Sequence, residues 1–254
     1  MTVAIITGAS RGLGRALAAE LAGRGYDLVL DGRDAEALRE AAARLERDAR
    51  SQRGAPGVRV RAVPGSVTDP AHREELVAAA LALGGVDVLV NNASALGAEP
   101  LVPLAELPVA GLREALETNV TAPFALVRAV LPALRAAGGA VLNVSSDAAV
   151  EAYPTWGGYG AAKAALDQLS AVLAEEEPDI RVWWVDPGDL RTGLYAAAVP
   201  DDPDFGERAL PEEVAPSFLR LLDERAPSGR YVARTAAAQV ASPAAAAADR
   251  AGVR

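Results

Sequence analysis

Short β-branched runs alternate with longer Ala-, Leu- and Arg-rich segments along most of this chain. That alternation is the signature of repeated βαβ units around a buried parallel sheet. Strands are expected at 3–6, 27–30, 58–62, 86–90, 140–144, 180–185 and, briefly, 230–232. Most carry apolar residues toward both faces, as strands covered by helices on both sides must. Helices are expected near 12–24, 34–50, 70–83, 109–136, 157–176 and 211–224, with Asp34, Asp69-Pro70 and Pro211-Glu212-Glu213 as start signals. The stretch 193–210 holds Pro200, Pro203 and the acids Asp201, Asp202 and Asp204. It lacks either periodicity and reads as a mobile lid or binding loop. Residues 1–234 read as one domain, and 235–254 as an Ala-rich tail, marginally helical or frayed.

Composition narrows the function. Of 254 residues, 25 are Lys or Arg and 34 Asp or Glu, a net charge of -9 that argues against a general nucleic-acid binder. Hydrophobic residues at 51% supply a full core. The absence of cysteine removes disulfides and thiolate chemistry, and with a single histidine no ordinary transition-metal site is expected. That histidine, His72, follows Asp69-Pro70 in a first helical turn and reads as a surface residue. The N-terminal run enters a glycine turn without a basic region, unlike a secretory signal, and no uncharged apolar stretch reaches the ~18–20 residues of a membrane helix. A soluble cytoplasmic protein without membrane contact is the expectation.

Thr7-Gly8-Ala9-Ser10-Arg11-Gly12-Leu13-Gly14 follows the first strand and opens the first helix. Glycines there permit a tight turn and close backbone approach, so that helix N–H groups and the dipole can hold a pyrophosphate. The bland alternative is an ordinary glycine-rich turn. Further along, Tyr159 and Lys163 stand four apart and share a helix face. Moving a phenol from its usual pKa near 10 by ~3 units takes about 4 kcal/mol. A unit charge at ~4 Å in an effective dielectric of ~20 supplies about that much, so the spacing predicts an easily ionised tyrosine. An aromatic packed under a snorkelling lysine is the alternative.

These segments resemble the short-chain dehydrogenase/reductase family. The likeness rests on the Gly-x-x-x-Gly-x-Gly turn, Asn91-Asn92-Ala93, Asn119 in Glu117-Thr-Asn-Val, Ser146, Tyr159-x-x-x-Lys163 and Pro187-Gly188-x-x-x-Thr192, in that order up to about Val232. It implies an α/β, doubly wound parallel sheet of the Rossmann type, about seven strands in order 3-2-1-4-5-6-7 with helices on both faces. It also implies hydride transfer between a ketone or aldehyde and an alcohol. Tyr159 would donate or remove the proton, Ser146 bind the reacting oxygen, Lys163 lower the phenol's pKa and hold the nicotinamide ribose, and Asn119 hold a water that relays protons. Ser145 is the neighbouring alternative to Ser146, and a kinking or capping amide the alternative for Asn119. Gly8, Ser10, Arg11, Gly12, Leu13, Gly14, Arg33, Val67, Asn92, Ala93, Tyr159, Lys163, Pro187, Gly188 and Thr192 would line the cofactor. Pro187-Gly188 and Thr192 would contact the carboxamide, unless they form only a Pro-Gly turn.

Cofactor choice falls at Asp31-Gly32-Arg33. With Gly32 in place of an NAD-selecting acid, Arg33 and Arg11 form a basic clamp that favours NADP(H). One residue of register error puts Asp31 on the ribose and favours NAD, and both arginines could be merely solvated. Ser66 and Ser94 replace the family's usual Asp and Gly. Ser94, Leu96, Ala148, Tyr153, Trp156, Leu190, Leu194 and Tyr195 suggest an apolar, partly aromatic substrate cleft. Asp147 beside it repels anions or faces solvent. A homodimer or homotetramer through the helices after the fourth and fifth strands is the expected assembly. The competing reading is a non-catalytic dinucleotide-binding regulator or structural subunit; an epimerase or dehydratase with the same cofactor is a third.

Overall fold

The computed structural model describes residues 2–51 and 57–233; the tail expected at 235–254 lies outside them. Seven strands, β1 (Val3–Ile6), β2 (Asp27–Gly32), β3 (Val60–Pro64), β4 (Val88–Asn91), β5 (Ala140–Val144), β6 (Arg181–Asp186) and β7 (Gly229–Val232), pair in the order β3-β2-β1-β4-β5-β6-β7. Every pairing is parallel. This is the doubly wound sheet the alternation called for. The strand period of two divides the core. Ala4, Ile6, Leu28, Leu30 and Trp183 face one layer, built on α1 (Gly12–Gly23), α2 (Ala35–Ser51) and α8 (Pro211–Asp223). Val3, Ile5, Val29, Leu89 and Val182 face the other, against α3 (Pro70–Leu83) and α5 (Ala122–Ala137).

Local chemistry starts the helices where the sequence signals them. The Asp34 carboxylate accepts from the N–H groups of Glu36 and Ala37, and Asp69 from Ala71. Glu213 reaches back to the Leu210 N–H at 2.7 Å. The expected helix 109–136 is α4 (Val109–Leu116) and α5, joined by a π turn at Glu117–Thr121 that carries Asn119. Length and composition would let this run cross a membrane, yet α5 packs Leu126, Val130 and Leu134 onto the sheet. α6 (Gly157–Glu176) leads from the site into β6.

Two expectations change. The 193–210 segment is built rather than loose: Thr192 caps α7 (Gly193–Ala198), Leu190 bridges Ala209, and Tyr195 stacks on Phe205 at 6.3 Å. Arg208 pairs with Asp202 and Asp189 at 3.0 and 3.1 Å. A six-residue helix is too short to display a period, which is why the sequence reads as loop. His72 is buried, its Nε2 2.6 Å from Asp31 Oδ1. The partner lies forty-one residues upstream, outside any local reading.

Helix α1 touches the strand ends only because Gly14 has no side chain: a Cβ there would lie 2.4 Å from Gly8 O and 2.5 Å from Asn92 Nδ2. Gly23, on the same helix, faces open space. In urea denaturation, Gly14→Ala should cost at least about 1–3 kcal/mol by overpacking. Gly23→Ala should be neutral or stabilise by up to about 1 kcal/mol. Equal midpoints for the two variants would refute this packing account.

Candidate active site

In an open parallel sheet, the connections from two neighbouring strands that leave toward opposite faces open a crevice at the carboxyl ends. Here those strands are β1 and β4. Thr7 and Asn92 tie them together: Thr7 Oγ1 accepts from the N–H groups of Asn92 and Ala93 at 2.9 and 3.0 Å, and Asn92 Nδ2 donates to the Thr7 and Gly8 carbonyls. Gly8 and Gly12 take φ of 65° and 56°, which side-chain-bearing residues avoid. Above this knot opens a cavity of about 960 Å³, at the upper end of ligand clefts.

Fourteen of the fifteen residues expected around a cofactor line that cavity: Gly8, Ser10 to Leu13, Arg33, Val67, Asn92, Ala93, Tyr159, Lys163, Pro187, Gly188 and Thr192. Gly14 stands behind the wall, in the close approach described above. At one end Arg11 and Arg33 are exposed and, among the described residues, neither forms an ion pair, whereas Arg15 beside them binds Glu212 at 3.2 Å. A glycine cradle at a helix N-terminus with two uncommitted guanidiniums suits a phosphorylated dinucleotide. Asp31 also lines this end, but its Oδ2 accepts the Gly8 N–H at 3.0 Å.

At the other end, β5 delivers Ser146 and the first turns of α6 deliver Tyr159 and Lys163. The phenol is buried, packed edge-on against Trp156 at 5.6 Å, and faces the hydroxyls of Ser146 and Ser94. Lys163 is 2% exposed; its Nζ donates to Val144 O at 2.7 Å and lies 5.5 Å from the Tyr159 ring centre. Burial lowers the ammonium to about 8 and raises the phenol to about 12. The expected depression of the phenol is therefore absent: desolvation penalises the phenolate more than the neighbouring Ser94 and Ser146 hydroxyls favour it, and the ammonium is anchored on the strand carbonyl. Asn119 does not line the cavity. Its Oδ1 accepts from Ser94 Oγ and the Ala95 N–H, and its Nδ2 donates to Ala95 O, so its side chain secures the 94–95 loop. Ser145, the alternative to Ser146, is buried and donates to Asp167.

Of the expected cleft residues, Ser94, Leu96, Tyr153, Trp156, Leu190, Leu194 and Tyr195 line the cavity. Ala148 does not: it is buried in a small cluster with Leu96, Tyr159 and Ala198. Asp147 lines the wall, accepting from Ser146 Oγ and the Tyr153 hydroxyl at 3.0 and 3.1 Å. Sequence reasoning missed the support beneath. Arg230 on β7 donates to Ser146 O at 2.9 Å and to Asp167 at 3.2 Å, and lies 3.8 Å from Asp186. Asp186 in turn accepts the Gly188 N–H. Burial pushes both carboxyls up. Asp167, polar on the inner side of a helix four residues past Lys163, was the available signal.

The sequence profile described as short chain dehydrogenase matches residues 2–203. Sepiapterin reductase of Xenopus laevis is 33% identical over 238 residues, covering 90% of this chain and 84% of that protein. Cis-4-hydroxycyclohexanecarboxylate dehydrogenase of Sinomonas cyclohexanicum is 37% identical, covering 88% and 90%. Among solved structures, an alcohol dehydrogenase from the archaeon Thermococcus sibiricus, complexed with 5-hydroxy-NADP, superposes with a TM-score of 0.80 at 31% identity over 91% of this chain and 95% of that one. With the sheet order, the glycine turn and the Ser146, Tyr159 and Lys163 group already in one crevice, these likenesses place the chain in the short-chain dehydrogenase/reductase family.

Proposed function

We propose that this protein is an NADP(H)-dependent oxidoreductase that interconverts a ketone or aldehyde and an alcohol on a largely apolar small molecule, with Tyr159 as general acid/base. One observation carries the reading: the phenol, the Ser146 hydroxyl and the Lys163 ammonium meet in the cavity whose far end presents two arginines without an ion pair among the described residues. The glycine turn and the N-terminus of α1 would hold the pyrophosphate, Arg33 and Arg11 the 2′-phosphate, Lys163 the nicotinamide ribose, and Pro187, Gly188 and Thr192 the carboxamide. When bound, the nicotinamide gives a hydride to the carbonyl carbon or takes one from the alcohol.

The protein's part in reduction is to deliver one proton. Burial keeps the Tyr159 phenol protonated at neutral pH, the form that donates to the carbonyl oxygen. Ser146 hydrogen-bonds the same oxygen and steadies its developing charge. The phenolate left behind is stabilised by the Lys163 ammonium, whose carbonyl anchor on Val144 keeps it beneath the ring. Asn119 acts as a positioning residue, since it fixes the loop that brings Ser94 to the phenol. Leu96, Trp156, Leu190 and Leu194 exclude water from an apolar substrate body, while Asp147 disfavours anions.

Three outcomes test this. Tyr159→Phe should fold and bind NADPH normally yet lose at least about 100-fold in turnover on any accepted carbonyl substrate; tight binding with no turnover in the wild type itself would favour the non-catalytic alternative. Lys163 is protonated below its lowered value of about 8 and neutral above it, so the carbonyl-reduction rate should hold below pH 8 and fall as pH rises through it. A flat profile to pH 10 would remove the ammonium from the mechanism. Arg33→Ala should raise the KM for NADPH about tenfold or more, given ~1.5–3 kcal/mol for a charge-assisted contact, with little change for NADH; parallel changes for both cofactors would count against the clamp.

A further inference from the structure

Asp31 stands where its carboxylate would be expected to spoil NADP(H) binding. It is the penultimate residue of β2, two before Arg33, and belongs to the cavity wall. A carboxylate at this point of the fold accepts ribose hydroxyls and repels a 2′-phosphate. Yet Asp31 is 2% exposed, and both of its oxygens are already engaged. Oδ2 accepts the Gly8 N–H at 3.0 Å, and Oδ1 lies 2.6 Å from His72 Nε2. A buried carboxylate without such partners would be costly and would turn toward any donor within reach.

The imidazole comes from the first turn of α3, which Asp69 caps and Pro70 opens. It lies flat beneath the β3–α3 loop: a Cβ on Gly65 would sit 2.2 Å from His72 Nδ1, so the ring fits only because residue 65 is glycine. The same loop is tied to β2 by the Gly65 N–H donating to Gly32 O, and the glycine turn is tied to β2 by the Ala9 N–H donating to Asp31 O. Three segments make this end of the cavity, namely 8–12, 31–33 and 65–67, and the His72–Asp31 pair lies where they meet.

We infer that His72 is a positioning residue that sets cofactor choice: it draws the Asp31 carboxylate back against the glycine turn, keeps it out of the ribose subsite, and so leaves the 2′-phosphate to Arg33 and Arg11. The inference rests on the NADP(H) reading above. It accounts for how a chain with an acid at the end of β2 can still use a basic clamp two residues later. Specificity here comes from withdrawing a repulsive group as well as from supplying attractive ones.

The test compares kcat/KM with NADPH and with NADH for the full chain and three variants. His72→Leu keeps the bulk and removes the donor; the NADPH/NADH ratio should fall about tenfold, the scale of one displaced charge near a phosphate, entering through the KM for NADPH. His72→Gln, which retains a donor, should stay within about twofold of the wild type. Adding Asp31→Asn to His72→Leu should restore the ratio, because the freed group no longer carries charge. A folded His72→Leu with an unchanged ratio, or a loss that Asp31→Asn fails to reverse, overturns the inference while leaving the clamp intact. A wild-type preference for NADH overturns both. Should His72→Leu not fold, the wild type decides: as the chain's single histidine, His72 gives imidazole NMR signals that need no assignment. A slowly exchanging Nε2 proton that persists on saturation with NADP⁺ supports the pair, and rapid exchange with water refutes it.

Discussion

The close approach of α1 to the ends of β1 and β4 is the contact on which the rest depends. It exists because three small or amide-bearing positions coincide: Gly8 bends, Gly14 leaves room, and Asn92 spends its amide on the Thr7 and Gly8 carbonyls. If α1 stood one methyl group farther out, its first N–H groups would no longer face the crevice, and the Asp31 bond to Gly8 would lengthen with them. The β1–β4 junction is therefore both the centre of the sheet and the floor of the site. Packing and function cannot be separated there, which is the physical reason the glycine pattern is spaced as it is.

A second constraint is the cost of burying cations and acids under a site that must hold them. Lys163 is almost wholly withdrawn from water, and its charge is met by a strand carbonyl and, four residues along α6, by Asp167. Asp167 and Asp186 would themselves repel, but Arg230 reaches both from β7 and also holds the Ser146 carbonyl. The net result is a charged layer beneath an otherwise apolar cleft, each member supplying a partner for the next. Such layers are costly when broken, because removing one member leaves another buried and unpaired. The raised phenol follows from the same burial: the proposed proton donor is held in its neutral form by the packing of Trp156 and its neighbours.

Much of this was legible in the sequence, and the part that was not shares one cause. Strands and most helices follow from periodicity and caps within ten or so residues, and β1 to β7 appear within two residues of the expected positions. The chemistry-bearing group was readable because Tyr159 and Lys163 are a helix turn apart and Ser146 ends a strand. What escaped were relationships between distant segments. His72 looks like a surface residue from its Asp-Pro context, and only the fold brings it to Asp31. Arg230 looks like an ordinary strand-edge cation until β7 is placed beside β6. Ala148 was expected in the cleft, but in the short 3-10 turn at Asp147–Ala149 it is buried against Tyr159 and its neighbours. The α7 segment escaped for the opposite reason, being too brief to carry a period.

The distribution of charge completes the argument about what the cavity can accept. The chain as a whole is strongly acidic, yet Arg11 and Arg33, without an ion pair among the described residues, stand at the glycine turn; the acids beside them are engaged, Asp34 at the start of α2, Glu212 on Arg15 and Asp31 on Gly8 and His72, while Asp147 and Asp189 lie toward the Tyr159 end. A ligand bearing phosphates at one extremity and a neutral ring at the other would be oriented by that gradient before any short-range contact formed. The reverse orientation would set phosphate against carboxylates and leave the arginines facing nothing. Field and shape thus select the same direction, and it holds only while the acids that line the phosphate end, Asp31 foremost, stay bound to partners of their own.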